Sequence, residues 1–477
     1  MNVIKQVMFD EWRFWQRTKL ATLVLIIGAV LTLASVVVNT MTMQAKAHDR
    51  EHLQEASEAR FIEQPDRHPH RMVHYGHYVF RTPSPLSILE PGVDAYTGTA
   101  IFLEGHRQNS AMFADQRQSS GMTRFSSLSP AFMLQLILPL LIVLIGYATL
   151  TREKEAGTLN IMLTQGVDKS QLIFGKFLAL AAGGMVLLLP FVVASVFAWV
   201  AGESLLVTVS FIMGYLLYIL LWCAIVVCVS ASSKRGSASF AALIAIWVVL
   251  CMLVPRIGSS AAAAIVPSPG KLEADFAVLD ELRKLGDGHN ANDPAFEKLK
   301  QNMLAQYDVE SVEELPINFR GVVAQYSEKK LTDVLNQFAE QRMDDELAQA
   351  EIARLFGWLS PTVALRTYSM MVSGTNLETH HRFLREAEIL RFDFVQALNR
   401  LHQDELDYQT DKDRYKDAAN AKAARVDASH WQVLSDFDFV PQAGSVRIQE
   451  GLLYLAQLVF WLVLLVILIQ QASRRMD

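Results

Sequence analysis

The chain alternates long apolar blocks with polar stretches, and six of the blocks approach the roughly 20 apolar residues needed to cross a bilayer core. They are residues 20–41, 131–150, 172–201, 205–231, 238–254 and 452–470. Gly183-Gly184 and Pro190 in the third predict a kink or tilt there. The fifth is the shortest and is expected to end at Pro255-Arg256. No block carries a charge near its centre, which argues against an intramembrane proton relay or ion site of the kind pumps use. Ahead of the first block, Val3, Ile4, Val7, Met8, Trp12, Phe14 and Trp15 cluster on one side of a helical repeat, with Lys5, Arg13 and Arg17 mostly opposite. Residues 1–19 therefore predict a helix lying in the membrane interface. Glu11 falls among its apolar side chains, and the simple pattern does not explain it.

Basic residues at the block ends set an orientation. Lys5, Arg13, Arg17 and Lys19 precede the first span. Arg152, Lys154, Lys169 and Lys176 lie between the second and third, Lys234-Arg235 between the fourth and fifth, and Arg474-Arg475 after the sixth. With six spans all four groups share one side, so both termini (including 471–477) are expected in the cytoplasm. Residues 42–130 and 255–451 are then outside. The first is rich in turn residues. The second is long enough for a domain of its own and has helical patterns at 271–285, 294–306, 322–355 and 380–407. Between the last two, 356–374 is unusually apolar: either the core of the external domain or a segment resting on the membrane, with Ser360-Pro361 opening a helix in both cases. The expected fold class is an all-α polytopic membrane protein: an amphipathic N-terminal helix, six transmembrane helices and a large, mainly helical external domain between spans five and six.

The connection 151–171 is the most charged among the first five. After Arg152, Glu153, Lys154 and Glu155, Gly157 breaks the backbone, and Thr158 to Thr164 reads as a short helix. Leu159, Met162 and Leu163 sit at i, i+3 and i+4 and form an apolar strip. Gln165-Gly166 supplies a stop, and Asp168 with Gln171 a capping box for the next helix. A helix this short is marginal alone, so the strip requires cover, and a groove on another protein would supply it.

Composition narrows the chemistry. At 477 residues, 51% hydrophobic and mean hydropathy +0.21, the chain is too apolar for a typical soluble domain. A net charge of −6 speaks against a nucleic-acid partner. The three cysteines, Cys223, Cys228 and Cys251, lie inside apolar blocks and offer neither a disulfide framework nor a CxxC metal site. The first apolar block has no obvious cleavage site after it, so it reads as a retained anchor. No G-x-x-x-x-G-K-[ST] loop is present, so no nucleotide is hydrolysed by that route, and Gly175-Lys176 lacks the upstream glycine. No G-x-S-x-G elbow occurs. All twelve histidines are expected outside. His48, Glu51 and His52 match H-x-x-E-H, which on one helix face would bind zinc and activate water, but no third ligand is identifiable. With His68, His70, His74, His77 and His106 they read as surface or hydrogen-bonded structural residues, and no metal is assigned.

The leading amphipathic helix, the six spans with both ends inside and EKEAGTLNIMLTQGVDKSQLIFGKF (Glu153–Phe177) together resemble the membrane subunit of an ABC transporter of the ABC-2 class. The first external segment and 360–375 are similar to the subgroup with enlarged external loops. The resemblance implies that Glu153, Glu155, Gly157, Thr158, Leu159, Met162 and Leu163 form a coupling helix on a separate ATPase. It implies two ATPase copies that bind ATP and Mg, no cofactor or catalysis in this chain, and a homodimer or a heterodimer with a second permease. A bacterial inner-membrane location and an external accessory protein are further expectations. Simpler members join spans five and six by a short re-entrant segment, where this chain has nearly two hundred residues. The function implied is ATP-driven export or other extracytoplasmic work. Mechanotransmission without a translocated substrate is the alternative, and a membrane-anchored zinc peptidase using His48, Glu51 and His52 is the reading from another class.

Overall fold

A computed structural model describes residues 3–112, 128–433 and 437–474. Among these, six helices are long and apolar enough to cross a membrane, and the chain is an all-α polytopic membrane protein. The interfacial helix α1 (Val3–Thr18) packs on α6 (Lys169–Val200), the third span. Gly175 allows the close approach, because a Cβ there would meet Val7 Cβ at 2.7 Å. Trp12 Nε1 donates to Ala179 O at 3.2 Å. The other spans are α2 (Leu20–Ile62), α4 (Pro130–Glu155), α7 (Leu205–Ser232), α8 (Gly236–Ile265) and α15 (Gly444–Arg474). The end of the bundle that carries α1 and Arg474 is proximal and the other end distal; the domain beyond the distal end is called external for its place outside the bundle. The fourth span, α7, is the best buried, with 61% of its most apolar stretch inside the chain, and α8 the least at 17%. The exposed apolar side chains of α2, α6, α8 and α15 need lipid or another subunit around them.

Two spans run well past their expected ends. Helix α2 does not stop at Met41: it continues as one rod of 43 residues, about 65 Å at 1.5 Å per residue, whose far end reaches the external core through Phe61. The fifth span does not end at Pro255. A π-turn at Val249–Leu253 accommodates the missing proline N–H, and the helix runs on to Ile265. The second span also carries a π-turn, at Met133–Ile137, where Trp247 Nε1 donates to Leu136 O.

The apolar stretch 356–374 is neither of the two things expected. Helix α12 (Pro361–Ser373) stands inside the distal half of the bundle, packed on α7 and α15. Tyr218, half-way along α7, bonds Thr362 Oγ1 at 2.8 Å, and Tyr215 bonds Ser369 Oγ at 2.8 Å. Within a bilayer, non-helical backbone survives only where its polar groups are met by protein. Here Trp461 Nε1 donates to Gly357 O, Ser360 Oγ accepts from the first N–H groups of α12, and its hydroxyl donates to Leu250 O. The segment is a re-entrant helix.

The two external segments form one domain rather than two. Helix α3 (Pro69–Tyr75) and an antiparallel hairpin, β1 (His77–Phe80) and β2 (Ala100–Leu103), with His77 opposite Leu103, come from the first. Helices α9 (Lys271–Leu282), α10 (Glu297–Tyr307), α11 (Phe319–Leu355), α13 (Leu377–Glu405) and α14 (Tyr408–Asp413) come from the second. Phe61, Met72, Val79 and Leu103 share a core with Phe383, Phe394, Leu398 and Trp431. The hairpin is the small stranded part of a mainly helical domain, as expected.

Candidate functional site

A helix, α5, occupies Thr158–Thr164. Gly157 (φ 70) and Gly166 (φ 90) sit at its two ends in the left-handed region that glycine tolerates, and Gln171 Oε1 accepts from Asp168 N at 3.4 Å to open α6. The direction in which the helix faces corrects the sequence reading. Leu159 is only 3% exposed and belongs to the core of the bundle, and Met162 and Leu163 are half-buried against it. The apolar strip is therefore covered by this chain's own helices. The i, i+3, i+4 pattern cannot distinguish an intramolecular partner from an external one. What α5 leaves in the open is the opposite face: Ile161, 56% exposed, with Asn160, Thr164 and Gln165.

Beneath α5, four charges lock three elements together. Glu11, 1% exposed, is 2.5 Å from Lys176 Nζ and 2.7 Å from Arg152 Nη2, and accepts from Thr149 Oγ1 at 3.2 Å. Glu153 pairs with the same two cations, at 2.9 Å to Lys176 and 3.2 Å to Arg152, and accepts from Thr158 Oγ1 at 2.6 Å. Arg152 also stacks over Phe14, 3.6 Å from the ring centroid. Burial pushes the Glu11 carboxyl up, but Lys176 and Arg152 outweigh it and hold the group below the usual carboxylate range. The residue that spoils the amphipathic pattern of α1 is thus the one that ties α1 to both flanks of α5. Glu155 is joined to the next proximal connection: its Oε1 accepts from Gly236 N at 3.1 Å, while Lys154 donates to Ala231 O and, at 3.0 Å, to Ser233 O. A cleft of about 670 Å³ opens beside them, lined among others by Lys154, Asn160, Lys234 and Gln471.

On the external domain, His48, Glu51 and His52 are exposed on the extension of α2, and among the described residues no third ligand joins them. His77 is buried, its Nδ1 3.2 Å from Ser57 Oγ, and burial pushes it down to about 4. His68 joins His402 on Asp411, at 3.0 and 2.8 Å, with Arg414 on the same carboxylate and Asn318 Nδ2 at 3.2 Å. His70, His74 and His106 converge with His289, a residue 183 positions after His106 that the sequence reading did not single out. Burial and then the neighbouring imidazoles push His70 down to about 2. Only the i, i+4 spacing of His70 and His74 on α3 was a local signal; His106 and His289 are brought in by tertiary structure.

Residues 106–268 match the family described as ABC-2 family transporter protein. Residues 272–440 match a domain of unknown function (DUF3526). The first match covers the second to fifth spans with α5 between them; the second covers the larger part of the external domain. No curated protein matches the chain.

Proposed function

We propose that this chain, an ABC-2 permease by the family of its spans, couples nucleotide-driven movement of a partner ATPase to its external domain through α5. The family implies an ABC ATPase partner in a membrane setting. Two ATPase copies, a permease dimer and the proximal end in the cytoplasm of a bacterial inner membrane are our reading. The side is supported by the basic residues gathered at the proximal end. Cysteines introduced at Ser429 and Ser170, both exposed, in a chain lacking the native three test it. A membrane-impermeant thiol reagent should label the first and spare the second in intact cells, and the reverse would overturn the orientation.

The observation that carries the coupling reading is the Glu11–Arg152–Glu153–Lys176 cluster. It makes α5 rigid with α1, with the end of α4 and with the start of α6, so a push on α5 cannot be absorbed by a flexible loop. Since Leu159 is covered from within, the docking face is the one that holds Ile161. Ile161→Asp should leave the permease at normal abundance while the ATPase no longer co-purifies and its activity is no longer stimulated. Leu159→Asp should instead lower abundance, because it places an unpaired charge in the chain's own core. An Ile161→Asp chain that keeps a fully stimulated ATPase would remove α5 as the docking element.

One observation favours mechanotransmission over a translocation path. Helix α2 runs unbroken from beside α1 into the external core, and re-entrant α12 is clamped between α7 and α15. Both transmit displacement along the bundle to the external domain. Export of a substrate between two protomers stays as the reading in which α8, the least buried span, lines the contact.

A further inference from the structure

One ring nitrogen from each of His70, His74, His106 and His289 lies within 4.8 Å of every other. The four come from three places. His70 and His74 share one face of α3, His106 occupies the turn after β2 with φ 65, and His289 sits in the loop between α9 and α10. His70 Nε2 and His74 Nε2 are 3.2 Å apart. Two nitrogens bound at 2.0–2.1 Å to one tetrahedral ion lie roughly 3.3 Å apart, so this pair already has the separation a shared ion requires. His106 and His289 are aimed by carboxylates. His106 Nδ1 is 2.8 Å from Glu328 Oε2, and His289 Nδ1 is 3.3 Å from Asp287 Oδ1. That is the second-shell arrangement that fixes the tautomer of a metal-binding imidazole and raises its basicity. With Nδ1 engaged, His106 presents Nε2 to the group, and this atom is buried without a hydrogen-bond partner. A buried polar atom in that condition is costly. An ion at the centre of the four rings would satisfy it together with the others.

We propose that these four histidines form a closed, four-coordinate site for a divalent transition-metal ion of zinc or copper character. Imidazole donors suit such ions and not the oxygen-seeking Mg²⁺ or Ca²⁺, and four protein ligands with no open position describe a structural site, not a hydrolytic one. Glu328, itself paired with Arg391 at 2.5 Å, and Asp287 orient the imidazoles from the second shell. The ion would staple the first external segment, which carries three ligands, to the second, which carries His289. The loop Gly286–Asp293, otherwise held by its own Asp287 and Asp293 turns, would become fixed to α3. The nearby His68–His402–Asp411 group does not compete for the role: Arg414 and Arg320 already bring two guanidinium charges to Asp411, so a cation would meet repulsion there.

The site stands apart from the coupling reading and is tested apart from it. The full-length chain is purified in detergent without a polyhistidine tag, stripped with a chelator, desalted and given zinc chloride alone. Elemental analysis should find about one zinc per chain, and competition with a chromophoric chelator gives its affinity. His74 and His289 are both exposed, so a His74→Gln/His289→Gln double variant keeps the fold and should bind zinc at least about 100-fold more weakly. Hydrogen exchange across 286–293 should slow on adding zinc to the wild-type chain and not to the variant. A wild-type chain that retains no zinc, or a double variant that binds it as tightly as wild type, overturns the site. Stoichiometric zinc that leaves the 286–293 loop exchanging as before overturns the staple.

Discussion

Two groups of converging side chains, one at each end of the molecule, handle burial in opposite ways. At the proximal end, Glu11 and Glu153 face Arg152 and Lys176, so two acids meet two bases, and remaining acceptor positions are taken by Thr149 and Thr158. Nothing is left over for a ligand. On the external domain, four imidazoles point at one another, all able to donate a lone pair and none able to neutralise another, with a buried nitrogen left unpartnered. Convergence alone therefore does not mark a binding site. A closed charge balance marks a joint in the scaffold, while convergence with unmet valence marks a place for something else.

The sharpest way to break the comparison is to unbalance the proximal joint. Glu11→Ala leaves Arg152 and Lys176 to share Glu153 alone. Removing one partner of a buried ion pair costs about 3–5 kcal/mol because the other charge stays buried and uncompensated. The expected result is a marked loss of folded protein, read as a fall in melting temperature of the detergent-solubilised chain or as failure to accumulate in the membrane. A cost under about 1 kcal/mol would mean the four charges are solvated and do not hold α5.

Next in size is Asp411, an external carboxylate already engaged by His68, His402, Arg414 and Asn318. Asp411→Asn removes the charge that His68, His402 and Arg414 share, and should cost about 1.5–3 kcal/mol, the range for hydrogen bonds to a charged group, in thermal unfolding at neutral pH. Zinc binding should stay at its wild-type level. If Asp411→Asn abolished zinc binding instead, the distinction between the arginine-paired carboxylate and the four-imidazole cluster would fail.

Much of the membrane part was legible in the sequence because a bilayer imposes one strong constraint, length of apolar helix, and the pattern reports it directly. The limits of the spans were less legible. Nothing in 42–62 says that a helix should stop at the membrane surface, so α2 runs on, and Pro255 reads as a stop only if a π-turn cannot absorb it. The apolar strip Leu159–Met162–Leu163 was visible, but periodicity gives a face and not what covers it. Glu11 looked like noise because its partners, Arg152 and Lys176, lie more than 140 positions away. The histidine cluster was hidden for the same reason: His289 follows His74 by 215 positions, and only the shared core of the two external segments brings them together.

Acidification separates the two kinds of group more gently. Burial pushes His77 down to about 4, and burial together with the charges of Arg81, His381 and Arg342 pushes His380 down to about 3. The unfolded chain takes up protons on these histidines near pH 6.5, while the folded chain resists until the lower values. Stability is therefore full above about pH 6.5 and declines as pH falls through 6 and 5 toward 4. Asp411 is held below the usual carboxylate range, chiefly by hydrogen bonds from His402 and His68 that outweigh burial, so its share is lost only in stronger acid. Unfolding of the external domain should become easier between pH 7 and 5, with His77→Gln reducing the slope. A melting temperature flat across that range would show that these histidines are solvated.

The smallest effect is expected at the one motif that looked catalytic. His48 and His52 sit four positions apart on a helix face, as the zinc pattern requires, and Glu51 is beside them. All three are exposed on the outer surface of α2, and among the described residues no further ligand approaches. Two imidazoles on a solvated helix form at most a weak, open site, whereas His70, His74, His106 and His289 enclose one from three directions. Glu51→Gln should therefore leave growth-linked function unchanged, and His48→Gln/His52→Gln should leave zinc stoichiometry at its wild-type value. Surface substitutions of this kind usually stay within about 0.5 kcal/mol, so neither should alter unfolding measurably. A loss of function in Glu51→Gln accompanied by loss of one zinc per chain would move the metal centre from the four-histidine cluster to α2 and restore the hydrolytic reading.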